Sequence, residues 1–258
     1  MALSQQYSDS LPNYPEECSP LQDVGFLVIP MLTDFFDTKW LVNSAADIIV
    51  LVSIAIWVTV LLLPPTIFNY GYADQRQLVL RRWMLIWAAC YGIRALLVWT
   101  TRYPRTPYNQ VENYVAANPL LGSLLILTGV RSTQTDFMFS GHTATWTVLT
   151  LMAHTYIGGN NVFTTLYTVL NAIGVFMLIA VREHYTADVV VAFFIAKMVF
   201  WIYHLVLTKW LHRWVVAIGQ PGYVISKSGG GGGGGMFAEI HGFFKWLDGA
   251  GPRSGEWD

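Results

Sequence analysis

The chain has 258 residues, of which 54% are hydrophobic, 15% aromatic and only 12% charged, and its formal net charge is −1. A charged fraction so far below the roughly 25% of soluble proteins excludes an ordinary soluble domain and indicates a membrane protein. The near-zero net charge and dispersed basic residues exclude nucleic acid as a partner, because phosphate backbones bind to basic surfaces.

The N-terminal part of the sequence predicts a polar arm followed by a segment at the membrane interface. Residues 1–23 are polar and contain prolines, which is typical of a loosely attached arm. The apolar run from Val24 to Leu32 is too short to cross a hydrocarbon core that needs about 20 residues. We therefore place residues 24–40 at the membrane interface, where Phe and Trp side chains are stable.

Five apolar segments predict transmembrane helices, in an all-α polytopic bundle of about five to six spans. The second segment carries Arg94 in its interior, where a charge is costly and turns toward protein or a wet cavity. The connection 102–138 contains an apolar piece, 120–130, that we expect to be interfacial or re-entrant. The five segments are Ala46–Leu63, Trp83–Thr100, Gly141–Ile157, Val162–Val181 and His184–Leu207.

Beyond the last span, the composition predicts a flexible tail. An unbroken glycine run from Gly229 to Gly235 is typical of a flexible linker. The sequence thus divides into a polar arm (1–23), a transmembrane domain (24–215) and a Gly-rich tail (216–258).

Alternation of the last three spans places His142 and His184 on one face of the membrane. The positive-inside rule makes the opposite face, which includes the C-terminus, cytosolic, so the histidines face a lumen or the exterior. Four arginines (102, 105, 131 and 182) lie on the same face as the two histidines. They count against this orientation, because the positive-inside rule places such residues on the cytosolic face. The basic residues that favour it are Arg76, Arg81, Arg82, Lys209, Arg213 and Lys227.

Two short stretches carry the candidate chemistry. His184 and Asp188 are four residues apart at a predicted helix start, so they share one face within hydrogen-bonding reach, and the carboxylate orients the imidazole. Ser140 is a predicted N-cap that leaves His142 in the first helical turn, where backbone N–H groups favour a phosphate. Two histidines and an aspartate could also bind zinc, but no His-Glu-x-x-His helix is present, and we expect no metal.

The other membrane histidines, His154 and His204, have a simpler interpretation. A single histidine in an apolar segment is more often a hydrogen-bonded packing residue than a catalytic one, and we expect both to be of that kind.

These stretches resemble the signature motifs of the sphingomyelin synthases and related sphingolipid synthases. Ser140-Gly141-His142-Thr143, preceded by Asp136, resembles one motif, and His184-Tyr185-Thr186 with Asp188 resembles the other. The resemblance covers roughly residues 30–208. The sequence departs from the family motifs at Gln134-Thr135, before Asp136, and at Phe193, where the family has a tyrosine. These differences concern the choice of headgroup. A third motif is matched by Arg81, Arg82, Tyr91, Arg94 and Thr101.

The resemblance implies a lipid phosphatase/sphingomyelin synthase type of bundle and a two-step transfer without metal or cofactor. His184, held by Asp188, would attack the phosphorus of a glycerophospholipid such as phosphatidylcholine. His142 would protonate the departing diacylglycerol and then deprotonate ceramide. Phosphocholine is the expected headgroup, with ethanolamine or inositol phosphate as alternatives. The candidate substrate-binding residues are Asp136, Ser140, Glu183, Tyr185 and Arg94.

Other interpretations stay open. For Arg94, bracing the bundle through a carboxylate such as Asp47 is as good an expectation as holding a lipid phosphate. Lipid phosphate phosphatases share the two histidines and the aspartate, but their lysine-to-Arg-Pro motif is absent and Arg182 is misplaced for their second arginine. A non-catalytic lipid-binding or scaffolding protein is the third interpretation. The resemblance implies the Golgi or plasma membrane, and a homo-oligomer is left open.

Overall fold

A computed structural model describes residues 21–31, 44–63, 76–101, 138–157 and 161–218. These residues form helices and short connections, with no strand among them. The predicted all-α class is confirmed. In chain order the helices are α1 (Val24–Val28), α2 (Ala45–Leu62), α3 (Arg76–Thr100), α4 (Gly141–Tyr156), α5 (Asn161–Ala180) and α6 (Thr186–Ile218).

Four helical segments in the described ranges are long and apolar enough to cross a membrane. They are α2, α3, residues Val162–Ala180 of α5 and residues Thr186–Val206 of α6. Large apolar side chains such as Leu51, Phe194 and Trp201 are more than half exposed on their outer faces. Because apolar surface of this kind is stable against lipid rather than water, the polytopic prediction agrees with the packing.

The central helix of the bundle is α4, which packs against α2, α3, α5 and α6. It has 16 residues and so spans about 24 Å, less than the ~30 Å of a hydrocarbon core. Its bounds match the predicted span closely. Gly174 of α5 lets the ring of Trp146 pack tightly, since a Cβ at Gly174 would lie 2.5 Å from that ring.

Two histidines lie away from the candidate chemistry and are satisfied by neighbours. His154 is hydrogen-bonded to the Thr168 hydroxyl at 2.9 Å. His204 is hydrogen-bonded to the Tyr156 hydroxyl at 2.7 Å, and Arg82 donates to that same hydroxyl at 3.0 Å. Both histidines are therefore hydrogen-bonded, as predicted, and His204 is half-buried whereas His154 is exposed.

Several sequence predictions fall outside the described residues. Most of the polar arm, the interfacial stretch after residue 31, the apolar piece 120–130 and the glycine-rich tail belong to this set. Asp136 is also outside the described ranges.

Candidate active site

The first histidine is positioned by the N-terminus of α4. Ser140 is the N-cap, and its Oγ accepts hydrogen bonds from the Thr143 backbone N–H at 3.3 Å and the Thr143 hydroxyl at 3.0 Å. The predicted cap is confirmed. His142 consequently lies in the first turn, beside the positive end of the helix, which attracts anions.

The second histidine follows the C-terminus of α5, which ends in a Schellman motif. Arg182 has a φ of 60°, and its N–H donates to the Ile179 carbonyl while the Glu183 N–H donates to the Leu178 carbonyl, each at 3.1 Å. This pair of bonds turns the chain sharply and satisfies the last carbonyls of the helix. Glu183 and His184 therefore follow directly after this turn.

Asp188 closes the same loop from the start of α6. Its Oδ2 accepts a hydrogen bond from the Tyr185 backbone N–H at 3.1 Å, as a capping-box residue does. The same oxygen lies 3.6 Å from Nδ1 of His184, which is an ion-pair distance slightly beyond a hydrogen bond. The Ser140 N–H donates to the Asp188 carbonyl at 3.4 Å, so the two histidine loops are tied together.

The two imidazoles face each other across a small gap, with ring centroids 6.4 Å apart. His184 is buried against Asp188, whereas the side chain of His142 is 22% exposed. One ring is thus fixed in the protein interior, and the other lies nearer to the solvent or lipid boundary.

Asp47, in the first turn of α2, is the partner of His142. Its Oδ1 is hydrogen-bonded to Nε2 of His142 at 2.9 Å. Sequence reasoning offered Asp47 only as a brace for Arg94 and did not connect it with the histidine. It is the single charged residue of the apolar helix α2, and an ionisable residue in such a helix is by default a functional candidate.

The electrostatics of the loop favour an unprotonated His184. Burial lowers the pKa of His184 well below its usual value, and electrostatic interactions with His142 and Arg94 lower it further. Burial raises the pKa of the Glu183 carboxyl. Two smaller effects act on the same pKa: His142 lowers it and Asp47 raises it. A neutral imidazole is the form that acts as a nucleophile.

Arg94 of α3 lies directly against the start of α4. It is 9% exposed, and a Cβ at Gly141 would collide with its guanidinium. Its guanidinium carbon lies 5.5 Å from the centroid of the Tyr91 ring. The glycine of the Ser-Gly-His stretch leaves room for this close approach, which places a cation beside the first turn of α4.

The remaining candidates are placed differently. Tyr185 is 2% exposed and its ring stacks on Phe26 with centroids 5.6 Å apart, and the Ser140 hydroxyl serves as the helix cap. One buried oxygen of Glu183, Oε2, has no hydrogen-bond partner within the described ranges. Because an unpaired buried carboxylate oxygen is costly, this residue is the better placed of the three to meet a cationic or hydrogen-bonding ligand.

The site also contains a set of side chains that could hold a metal. One ligand atom from each of His142, Glu183 and His184 lies within 4.8 Å of the others. Imidazole nitrogens and a carboxylate are zinc ligands. The expected metal-free reaction therefore stays a prediction that chelation can test.

Comparison with known proteins finds a matching family and several similar proteins. Residues 134–205 match the PAP2 superfamily C-terminal family. The phosphatidylcholine:ceramide cholinephosphotransferase 2 of Caenorhabditis elegans is 29% identical over 202 residues, covering 72% of this chain and 56% of that protein. Sphingomyelin synthase-related 1 of C. elegans is 30% identical over 202 residues (72% and 37%). Human sphingomyelin synthase-related protein 1 is 43% identical over 81 residues (31% and 19%).

The chain thus corresponds to at most about half of the length of these relatives. The matches of about 200 residues extend well beyond the PAP2 region, which contains both histidines and Asp188.

Proposed function

We propose that this chain, a member of the sphingomyelin synthase family, transfers a phospho-headgroup from a glycerophospholipid to ceramide through a phosphohistidine and releases diacylglycerol. The observation that carries the proposal is the pair of facing imidazoles, each beside its own carboxylate: His184 with Asp188 and His142 with Asp47. Two imidazoles allow one to form the covalent bond while the other moves protons.

In the first step, His184 attacks phosphorus. Asp188 lies against Nδ1, so Nε2 is the nitrogen we assign as the nucleophile. A bond forms between phosphorus and Nε2 of His184 as the bond from phosphorus to the diacylglycerol oxygen breaks. His142 gives its proton to that oxygen. Arg94 and the first turn of α4 would hold the phosphate oxygens, since both present positive charge to the same place.

In the second step, His142 acts as the base. It takes the proton from the primary hydroxyl of ceramide, whose oxygen attacks phosphorus as the P–N bond breaks. Both catalytic residues return to their starting protonation states. No step requires a metal or a cofactor.

Phosphocholine is the headgroup we propose, with ethanolamine or inositol phosphate as alternatives. Two of the relatives are named after sphingomyelin synthase and one after phosphatidylcholine and ceramide. Glu183, which has one buried oxygen without a hydrogen-bond partner among the described residues, would contact a cationic headgroup together with Asp136. We further propose that the histidines face a lumen or the exterior of a Golgi or plasma membrane, with the C-terminus cytosolic.

The test supplies the purified protein with fluorescent ceramide and, in separate reactions, phosphatidylcholine, phosphatidylethanolamine, phosphatidylinositol or phosphatidic acid, each with and without EDTA. A phosphosphingolipid from one donor supports the transferase and identifies its headgroup. Loss of phosphate from phosphatidic acid without any sphingolipid product would favour the phosphatase instead. Activity that disappears with EDTA and returns with zinc would overturn the metal-free mechanism and implicate His142, Glu183 and His184 as ligands.

The lowered pKa of His184 predicts the acid side of the pH profile. The ring must be neutral to attack, so kcat/KM should persist below pH ~6.5, the usual pKa of histidine, and fall only at lower pH. Because the charge of Arg94 contributes to the lowering, Arg94→Gln should move the acid limb to higher pH even if the overall rate falls. An acid limb at or above the usual pKa in the unmodified protein would contradict this assignment.

A further inference from the structure

The short helix α1 and the residues before it are packed against the loop that bears His184. Asp23, which is 9% exposed, crosses from α1 to the start of α6. Its Oδ2 accepts from the Thr186 backbone N–H and its Oδ1 from the Thr186 hydroxyl, each at 2.6 Å. Oδ1 also accepts from the Gly25 N–H at 2.7 Å. One carboxylate thus caps α1 and also binds the first residue of α6, Thr186, which is 163 residues away in sequence.

A second set of contacts joins the same two parts of the chain on the other side of His184. The Phe26 carbonyl accepts a hydrogen bond from Nη2 of Arg182 at 2.8 Å, and the Phe26 ring lies 4.7 Å from that guanidinium. The same ring stacks on Tyr185, which also hydrogen-bonds to the backbone of Leu21. The loop is therefore held at Arg182, at Tyr185 and at Thr186, with His184 between them.

The fit between α1 and the loop is close. A Cβ at Gly25 would collide with the Thr186 hydroxyl and lie 3.1 Å from Ile179. The opposite face of α1 presents Val24, Leu27 and Val28, all at least 74% exposed, as expected for side chains at a lipid interface. Only the face with Asp23, Gly25 and Phe26 is turned toward the loop.

The backbone of Arg182 adds to the constraint on this loop. Its φ of 60° lies in the left-handed region, which is uncommon for a non-glycine residue. The Schellman hydrogen bonds of α5 hold its backbone, and the Phe26 carbonyl and ring contact its side chain. Phe26 therefore adds side-chain contacts to a turn whose backbone is already hydrogen-bonded.

We propose that Leu21, Asp23, Gly25 and Phe26 form a clamp that fixes the His184 loop, with Asp23 as a positioning residue for the transfer reaction. The inference rests on the proposed function for its effect on rate, but the clamp itself does not. Asp23 touches neither imidazole. It acts through Thr186, and thereby on the angle at which His184 meets phosphorus.

The experiment compares Asp23→Ala, the milder Asp23→Asn, and Gly25→Ala with Gln22→Ala, an exposed neighbour, as matched control. Hydrogen exchange of the peptide covering 182–189 is measured on each protein in detergent. We expect faster exchange there in the three clamp variants, because Thr186 loses its acceptor or is pushed from it, and exchange like the unmodified protein in Gln22→Ala.

The same variants are then assayed for transfer. A displaced nucleophile should lower kcat by about 10-fold to 100-fold with little change in KM, while the unfolding temperature stays near that of Gln22→Ala. In Asp23→Ala, adding Thr186→Ala should cost little more, since both remove the same contact.

The outcomes separate the two proposals. Unchanged exchange in the 182–189 peptide of both Asp23→Ala and Gly25→Ala would overturn the clamp. Faster exchange with unchanged kcat would overturn the positioning role. If the unmodified protein transfers no headgroup, the proposed function fails, and the exchange measurement still decides whether the clamp exists.

Discussion

Replacement of His184 by alanine is expected to abolish headgroup transfer, with a fall in kcat/KM of roughly 10³-fold or more. His184 is the buried ring of the pair, and its neutral form is favoured by burial and by nearby positive charge. Loss of a covalent nucleophile removes the step itself rather than a contribution to it. The measurement is the rate of fluorescent product formation from ceramide and the active donor.

The control for this variant is His154→Ala, which removes a histidine whose contact is the Thr168 hydroxyl and should leave transfer near its original rate. His184→Gln serves as a second variant, because it leaves a polar side chain beside Asp188 and so separates loss of chemistry from loss of folding. With a radiolabelled donor phosphate, the unmodified protein should acquire an acid-labile label that neither His184 variant acquires. A labelled His184→Ala protein would place the covalent intermediate on another residue.

Local patterns predicted the parts of the site that are close in sequence. The four-residue interval from His184 to Asp188 and the position of Ser140 before an apolar helix identified both parts from spacing and capping chemistry alone. The predicted start of the last helix at His184 is earlier than the observed one at Thr186. The reason is that Asp188 hydrogen-bonds to the Tyr185 N–H, which leaves His184 in the loop before the first turn.

The parts that a single sequence could not supply are contacts between distant segments. Asp47 is 95 residues from His142, and Asp23 is 163 residues from Thr186. Neither pairing leaves a periodic or motif signal, because each depends on how α1 and α2 pack beside the histidine loops. A signal did exist for Asp47 alone, since a single carboxylate in an 18-residue apolar helix is costly and therefore suspect.

Glycine positions illustrate the same limit from another direction. Gly141 stands inside a motif, but the group that lies beside it is the guanidinium of Arg94, which approaches from α3. Likewise Gly174 is required by the ring of Trp146 in the neighbouring helix. Sequence shows that a residue is small, and only the packing shows what occupies the space.

Replacement of His142 by alanine is expected to lower transfer by about 10²-fold to 10⁴-fold, the range typical of a lost general acid–base. Unlike His184→Ala, the His142→Ala variant should still form a covalent intermediate, because the nucleophile and Asp188 remain. Asp47→Asn keeps the shape of the partner but removes its charge, so a smaller loss in the same direction is expected. Transfer rates with the natural lipid donor measure both effects.

An activated donor separates the role of His142 in each step. With p-nitrophenyl phosphocholine, the leaving group needs no proton, so His142→Ala should release nitrophenolate in an initial burst close to that of the unmodified protein. The second step still lacks its base, and phosphohistidine on His184 should therefore accumulate when ceramide is present. A burst that is as strongly reduced as natural transfer would show that His142 does not act by proton transfer. His142, whose ring centroid lies 6.4 Å from that of His184, would then contribute through substrate binding or packing instead.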